Sequence, residues 1–385
     1  MEKEPNHILF LPRWYPNKYD PMWGLFVQKH AAAVSLLNKV SILYLHPLDE
    51  GLYETEFVWT SYDQIDTLYI YYPKPKNRIL YFIQFLKLYI KGLRMIQKRK
   101  RVDIIHVHIL SRMGFLAWMS SHIYGIPYVI TEHWSRYLPT VNIYRGWLRK
   151  RLTEKIVKNA EAVMPVTANL REAMLTHKLK NSNYQIVPNV VDDEFFQTPL
   201  NAVESSTKRI IHVSTFEDKS KNISGIVQAV KKLSQQRNDF KMIFVGDGMD
   251  YERIKKMVRD LQLEEIVEFT GLLGKEDLVN EFAKSHFLLI NSNYENMPVV
   301  INEAMACGLP VLSTDVGGIS EHVDHKKGYL FEAGDSHLLV ESLNKMLDHF
   351  PEFDSKYIKD YAQKHFSFAA VGEAIDHVYR QIKNS

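Results

Sequence analysis

A chain of 385 residues is too long for one ordinary domain and fits about two. With 46% apolar and 24% charged residues it is too hydrophobic for disorder, and its one cysteine, Cys307, excludes a disulfide framework or a cysteine zinc cluster. The net charge of +3 is unevenly spread: residues 1–190 carry +12 and residues 191–385 carry −9, so the two halves are expected to meet different partners.

Along the chain, the apolar start at Ile8–Leu11 stops at Pro12, too short for a signal peptide, and no run of eighteen apolar residues follows. The expectation is a soluble, cytoplasmic protein. Strands are predicted at His7–Leu11, Val40–Tyr44, Leu68–Tyr72, Asp103–Val107, Tyr128–Thr131 and Ala162–Val166. Helix-length segments lie between them at Gly24–Leu37, Ile79–Arg99, Met113–Tyr124 and Arg145–Asn159. The second half repeats the alternation, with strands at Ile210–Val213, Lys241–Val245, Ile266–Thr270, Phe287–Ile290, Pro310–Ser313 and Gly328–Phe331. This pattern argues for parallel sheets with helices on both faces. Residues 188–208, polar and interrupted by Pro188 and Pro199, read as the linker. The picture is two doubly wound α/β domains facing a central cleft, with ligands expected beyond the carboxyl ends of the strands.

The densest motif runs from Asn291 to Pro310. It follows a strand, and Pro298 suits the first position of a helix whose free N–H groups make an anion site. Glu295 falls before that helix and Glu303 about a turn and a half inside it. Two bare carboxylates would read more readily as one solvated and one helix-face residue; the flanking sequence changes that reading.

Glu295, seven residues and Glu303, then Ala-Met-Ala-Cys-Gly-Leu-Pro-Val and Asp315-Val-Gly-Gly-Ile-Ser-Glu321, closely resemble the donor-site signature of glycosyltransferase family 4, a family of retaining GT-B enzymes. The likeness extends over nearly the whole chain: Arg13-Trp-Tyr-Pro16 with Asp20, Pro21 and Gly24, Asp103 to His108, Thr131-Glu-His133, Val187-Pro-Asn189 with Asp192, Lys221-Asn222, Val245 to Gly248, and Phe269-Thr-Gly271. The resemblance implies a GT-B fold of two Rossmann-like domains: residues 1–190 with a C-terminal helix from about 367 to 385 for the acceptor, and 191–366 for the donor. It implies that Glu295 faces the donor sugar, that Glu303 holds the ribose hydroxyls, and that Lys221 neutralises the leaving diphosphate. Gly24 would approach the same phosphates, where a side chain would block them. His133 would sit near the transferred sugar on the acceptor side, and Glu295 and His133 form the implied catalytic pair. Loops at Gly246–Gly248 and Gly271–Leu273 would border the base; Thr215, Met297 and Val299 join the donor-binding set. Two departures stand out: Thr215 occupies the usual arginine position, with Lys219 a candidate substitute, and Val190 replaces the hinge glycine.

No Asp-x-Asp occurs, so a metal clamp on the diphosphate lacks its usual ligands. The expectation is a metal-independent enzyme with no cofactor and a nucleoside-diphosphate sugar as donor. Gly246-Asp-Gly248 is followed by Tyr251 where a dinucleotide fingerprint needs its third glycine, which argues against a dehydrogenase. His106 and His108 occupy every other position of one strand; one is expected to be structural, with His108 the better site residue. Cys307 reads as a core thiol.

Residues 74–101 hold ten Lys and Arg and no acid. Ile79, Ile83, Leu86, Ile90 and Leu93 make a core stripe, and Lys87, Lys91, Arg94, Lys98 and Arg101 a basic one. The basic stripe is either a solvated edge or a helix lying on an anionic membrane at its inner face. A second basic run spans Arg145 to Lys158. A glycan or lipid-linked acceptor follows from the membrane reading, a soluble acceptor from the other. A catalytically silent carbohydrate- or membrane-binding protein is the rival from another class, and no nucleic-acid module is recognisable.

Overall fold

The computed structural model describes residues 5–49, 54–141, 143–199 and 207–383. The chain divides into two compact units, residues 1–190 with 368–385, and residues 191–367.

In the first unit the elements run β1 (His7–Pro12), α1 (Leu25–Ser35), β2 (Lys39–Leu48), β3 (Glu56–Tyr62), β4 (Ile65–Pro73) and α2 (Arg78–Arg99). Then come β5 (Ile104–His108), α3 (Arg112–Tyr124), β6 (Tyr128–Glu132), α4 (Trp147–Lys158), β7 (Ala162–Pro165) and α5 (Ala168–Thr176). They build a seven-stranded sheet ordered β3-β4-β2-β1-β5-β6-β7, parallel except for the β3–β4 hairpin. The inner strands are buried on both faces and read as continuous apolar runs, as helix-covered parallel strands do.

The second unit holds α6 (Asp193–Phe196), β8 (Lys208–Val213), α7 (Asp218–Lys221), α8 (Ile223–Ser234), β9 (Phe240–Val245), α9 (Tyr251–Asp260), β10 (Val267–Gly271) and α10 (Lys275–Ala283). It continues through β11 (Phe287–Ile290), α11 (Val299–Ala306), β12 (Val311–Thr314), β13 (Gly328–Phe331), α12 (Ser336–His349) and α13 (Ser355–Phe366). Its six strands, ordered β10-β9-β8-β11-β12-β13, are all parallel.

The last helix, α14 (Phe368–Lys383), returns to the first unit. Val371, Ile375, Val378 and Tyr379 are buried there with Val27, Ala31 and Val34 of α1. The helices meet closely at Gly372, where a Cβ would stand 2.4 Å from the Ala33 carbonyl oxygen. Asn38 Nδ2 donates to Asp376 at 2.8 Å, and Tyr379 meets His106 Nδ1 at 2.6 Å.

Three expectations change. Strand β3 is an addition to the predicted set: its burial alternates weakly on an exposed sheet edge, and its turn is Asp63–Gln64, both in the left-handed region that a two-residue hairpin requires. Pro298 caps α11 from an extended conformation instead of opening the helix, which begins at Val299. The stretch read as linker is not uniformly irregular, since residues 193–196 form a helical turn; residues 200–206 lie outside the described part.

Candidate active-site residues

In the second unit, the loop after β8 and the loop after β11 are laced together. Asn293 N–H donates to the Ser220 carbonyl (2.8 Å), Asn293 Nδ2 to the Lys219 carbonyl (3.0 Å), and Asn291 Nδ2 to the Asn222 carbonyl (3.1 Å). This brings the Lys221 ammonium into an ion pair with Glu295 Oε1, which also accepts from the Ser292 hydroxyl at 2.9 Å. Both side chains are largely shielded, 21% and 12% exposed. Two residues taken from distant parts of the sequence thus form one charged pair at the carboxyl ends of adjacent strands.

A third segment fixes that pair. Gly317 (φ +64°) passes so close to the Glu295 loop that a Cβ would meet the Glu295 carbonyl oxygen at 2.2 Å, and Gly318 N–H donates to the Asn296 carbonyl at 2.7 Å. The glycines of Asp315–Glu321 therefore seat the loop that carries Glu295. Glu303 is buried on α11, and that helix directs its first free N–H groups toward the same loop region.

The glycine loops have structural reasons of their own. At Gly246 (φ +124°) a Cβ would stand 2.0 Å from the Ser214 carbonyl oxygen, and at Gly248 2.7 Å from the Phe216 nitrogen. The β9 loop is thus pressed on the Thr215 turn, and Gly246 N–H reaches the Gly271 carbonyl at 2.9 Å. Gly271 (φ +73°) meets nothing, so it serves the turn alone. Thr215 and Lys219 are both exposed, whereas Lys221 is turned inward to Glu295. Met297 is buried in the core, so any contact from it to a ligand is through its backbone; Val299 opens α11 and is half-buried.

In the first unit, Gly24 (φ +73°) caps α1, and a Cβ would lie 2.4 Å from the Trp14 carbonyl carbon. The glycine is demanded by this backbone crossing, a reason different from the phosphate approach expected. Two residues on, Phe26 packs its ring 4.6 Å from that of His133. His133 Nδ1 faces Asn189 Oδ1 (3.2 Å) and Nε2 faces His108 Nδ1 (3.2 Å). His30 stands edge-on to His133 at 5.1 Å; its nitrogens meet the carbonyls of Phe26 (2.9 Å) and Pro188 (3.1 Å). Burial first, then the neighbouring rings, hold His108 and His133 well below the ordinary imidazole value, and burial takes His30 to about 4. All are neutral at pH 7.

The division between His106 and His108 does not hold. Being two residues apart in β5 they share one face, and both are completely buried. His106 is tied to Tyr379 and to Thr131 Oγ1 (2.7 Å), whereas His108 Nε2 has no partner among the described residues. The nitrogens of His30, His108 and His133 lie within 4.8 Å of one another, the described grouping nearest to a metal-ligand set. A cation there would take one nitrogen of each ring and so break one of the two carbonyl contacts of His30 and a contact of His133 with His108 or Asn189; as it stands, the set is a packed hydrogen-bonded network.

Sequence reasoning missed His30 and Glu132. Both are buried where only long-range contacts reveal them. Glu132, fully buried, accepts from the N–H groups of Leu110 (3.0 Å), His133 (3.0 Å) and Trp134 (2.9 Å) and so fixes the His133 loop. Burial raises its carboxyl above the usual range.

Two family profiles match the chain: that described as glycosyl transferases group 1 over residues 194–365, and glycosyltransferase family 4 over residues 38–195. The chain is 32% identical over 259 residues to N-acetyl-alpha-D-glucosaminyl L-malate synthase of Bacillus anthracis, covering 63% of this chain and 64% of that protein. It is 28% identical over 231 residues to a human component of phosphatidylinositol N-acetylglucosaminyltransferase, covering 60% of this chain and 47% of the relative. The matches thus span less than two thirds of either relative. Among solved structures, Anabaena Alr3699/HepE in complex with UDP and glucose superposes with a TM-score of 0.72 at 16% identity, over 98% of this chain and all of that one. This likeness places the two units among GT-B folds.

Proposed function

This chain belongs to glycosyltransferase family 4, and we propose that it is a retaining, metal-independent glycosyltransferase. It moves a sugar from a nucleoside-diphosphate donor to a hydroxyl of a glycan or lipid-linked acceptor. The observation that carries this reading is the Lys221–Glu295 pair, held at the ends of β8 and β11 beside α11 and Glu303. Breaking the bond between sugar and diphosphate leaves negative charge on the phosphate and positive charge on the sugar. Lys221 and the N–H groups opening α11 answer the first, and Glu295 the second, already in place before charge develops. Glu303 offers two acceptor oxygens for the ribose hydroxyls. The relatives that handle N-acetylglucosaminyl groups and the neighbour holding UDP support this class of donor. The lack of Asp-x-Asp and the presence of a lysine at the expected diphosphate site support metal independence.

A membrane-borne acceptor at the inner, cytoplasmic face is the finer part of the reading. Helix α2 leaves Ile79 (70% exposed), Leu80, Phe82 and Ile83 in solvent over its first two turns, followed by exposed Lys87, Arg94 and Lys98. Helix α4 repeats the arrangement with Trp147 (74% exposed) and Leu148, then Arg151 and Lys158. Both pack on the same face of the seven-stranded sheet. Apolar tips ahead of basic rails suit an anionic bilayer, where each cation contributes about 1 kcal/mol. Not all of the basic stripe is available: Lys91 lies 4.1 Å over the Phe57 ring, and Arg99, beside the stripe, lies 3.6 Å over Trp59, both covering the exposed hairpin. Among the described residues no helix is long and apolar enough to cross a membrane.

Thermal unfolding against nucleoside diphosphates and their sugars, with and without EDTA, tests the donor site. A ligand at 100 times its Kd raises stability by about 2.7 kcal/mol. A shift with one base, insensitive to EDTA and lost in Glu303→Ala, is expected; no shift with any nucleotide refutes the donor site. Flotation with phosphatidylcholine–phosphatidylglycerol vesicles at low salt tests the surface. The whole chain should float and Ile79→Ser/Trp147→Ser should not; a wild-type chain that stays at the bottom removes the membrane from the reading.

A further inference from the structure

Four arginines gather at the carboxyl edge of the seven-stranded sheet. Arg13 directly follows β1, and its N–H donates to the carbonyl of His108 at the end of β5 (3.1 Å). Arg112 opens α3, Arg136 follows β6, and Arg149 lies in the first turn of α4. The Arg13 and Arg136 guanidinium carbons each stand 4.6 Å from the centre of the Trp134 ring. Arg136 and Arg149 lie 5.6 and 5.4 Å from that of Tyr144.

Arg136 is turned inward, with its buried Nε lacking a partner among the described residues. It is buried, donates to the Leu110 carbonyl and, at 2.5 Å, to the Tyr137 hydroxyl, and sits in the field of Glu132, whose oxygens are already taken by three N–H groups. Arg13, Arg112 and Arg149 have no carboxylate partner among the described residues. They lie close enough for their charges to oppose one another: burial, then Arg136, Arg112 and Arg149, draw the Arg13 guanidinium below its usual value, with the Glu132 carboxylate opposing them only in part. Guanidinium groups brought together without an ion-pair partner fit a planar or tetrahedral oxyanion, which they can grip with paired N–H donors. Trp14 and Trp134, 5.4 Å apart, supply flat apolar walls beside them. Trp134 adjoins His133, the residue assigned to the acceptor side.

We propose that Arg13 and Arg149 form a subsite for an anionic group, phosphate or carboxylate, that the acceptor carries near the hydroxyl to be glycosylated, with Arg112, stacked on the Tyr81 and Phe85 rings, at its margin. This rests on the glycosyltransferase reading and adds to it the chemistry of the acceptor. Two relatives bear names that include such acceptors, a malate and a phosphatidylinositol.

The test is calorimetric titration of the whole chain with inorganic phosphate and with L-malate, in saturating nucleotide and at ionic strength fixed with chloride. Wild type and the surface control Lys356→Gln should bind equally, and Arg13→Gln and Arg149→Gln at least tenfold more weakly, with Arg13→Lys between. Equal binding by wild type and both arginine-to-glutamine variants overturns the proposal, as does anion binding that appears only when nucleotide is left out, which would put the anion in the donor site. Failure of the wild type to bind either anion over chloride also overturns it. Should Arg13→Gln not fold, exposed Arg149 carries the test. A flotation arm separates the sources: vesicles with phosphatidylinositol should retain wild type over Arg149→Gln if the anion is a lipid headgroup, and retain both equally if it is a free acceptor. The nucleotide shift is read in the same samples, so failure of the donor reading and failure of this subsite are told apart.

Discussion

Acidification from pH 7 to 5.5 should unfold the first unit, and the histidine network gives the size of the effect. His30, His106, His108 and His133 are held neutral below the ordinary value of 6.5, His30 at about 4. Unfolded, each ring recovers that ordinary value and binds a proton as the pH falls, while the native ring does not. The unfolded state then binds more protons, so stability falls between pH 6.5 and about 4 and is level above. For one ring the loss from pH 7 to 5.5 is about 1.2 kcal/mol, and for four about 5 kcal/mol, on the scale of the whole stability of a domain. Glu132 works in the opposite sense, because burial raises its carboxyl and the native state takes up its proton first, so it offsets part of this loss. All six tryptophans lie in the first unit, so urea unfolding followed by tryptophan fluorescence reads this unit alone. His30→Leu should remove about a quarter of the pH dependence. A wild-type midpoint that moves by no more than one ring's share between pH 7 and 5.5 would refute the claim that the network is neutral.

On the proposed role, in which the carboxylate acts on charge that develops later, Glu295→Gln should lower turnover by about 10²–10³-fold while the nucleotide shift persists; single-turnover assays with donor and acceptor check this. Gly317→Ala drives a Cβ to 2.2 Å from the Glu295 carbonyl oxygen and should cost at least tenfold in kcat, with the tryptophan-reported unfolding of the other unit unchanged. Cys307, which burial pushes up to about 12, should resist a thiol reagent at pH 8 in the folded protein and react at once in guanidinium; fast labelling of the folded chain would contradict the burial.

Most of the described strands are inner or well-buried runs whose apolar character stands out locally, and their positions were legible to within a few residues. β3 was not, because an edge strand that alternates with polar residues resembles a loop, and Asp63-Gln64 lacks the glycine that usually marks such a turn. The motif around Glu295 and Glu303 was legible as a signature, yet its physical content was not. Nothing local to Gly317 tells that its missing side chain makes room for the Glu295 loop, or that Gly24 answers to Trp14. His30 lies among alanines in α1, and only a contact 158 residues along the chain explains it.

The return of α14 has a consequence for synthesis. Tyr379, Ile375 and Val378 fill the face of the seven-stranded sheet that α1 leaves open, so a growing chain carries that face uncovered while the whole of residues 191–367 is translated. The second unit has every strand and helix it needs before the first can close. At about 5–20 residues per second, the first unit waits roughly ten to forty seconds for its final helix. Folding order on the ribosome is thus the reverse of the order of sequence, and a nascent-chain holdase would find its target at the exposed β1–β5 face. Expression of residues 1–190 alone should yield an aggregating fragment, recoverable by supplying residues 368–383 as a separate peptide.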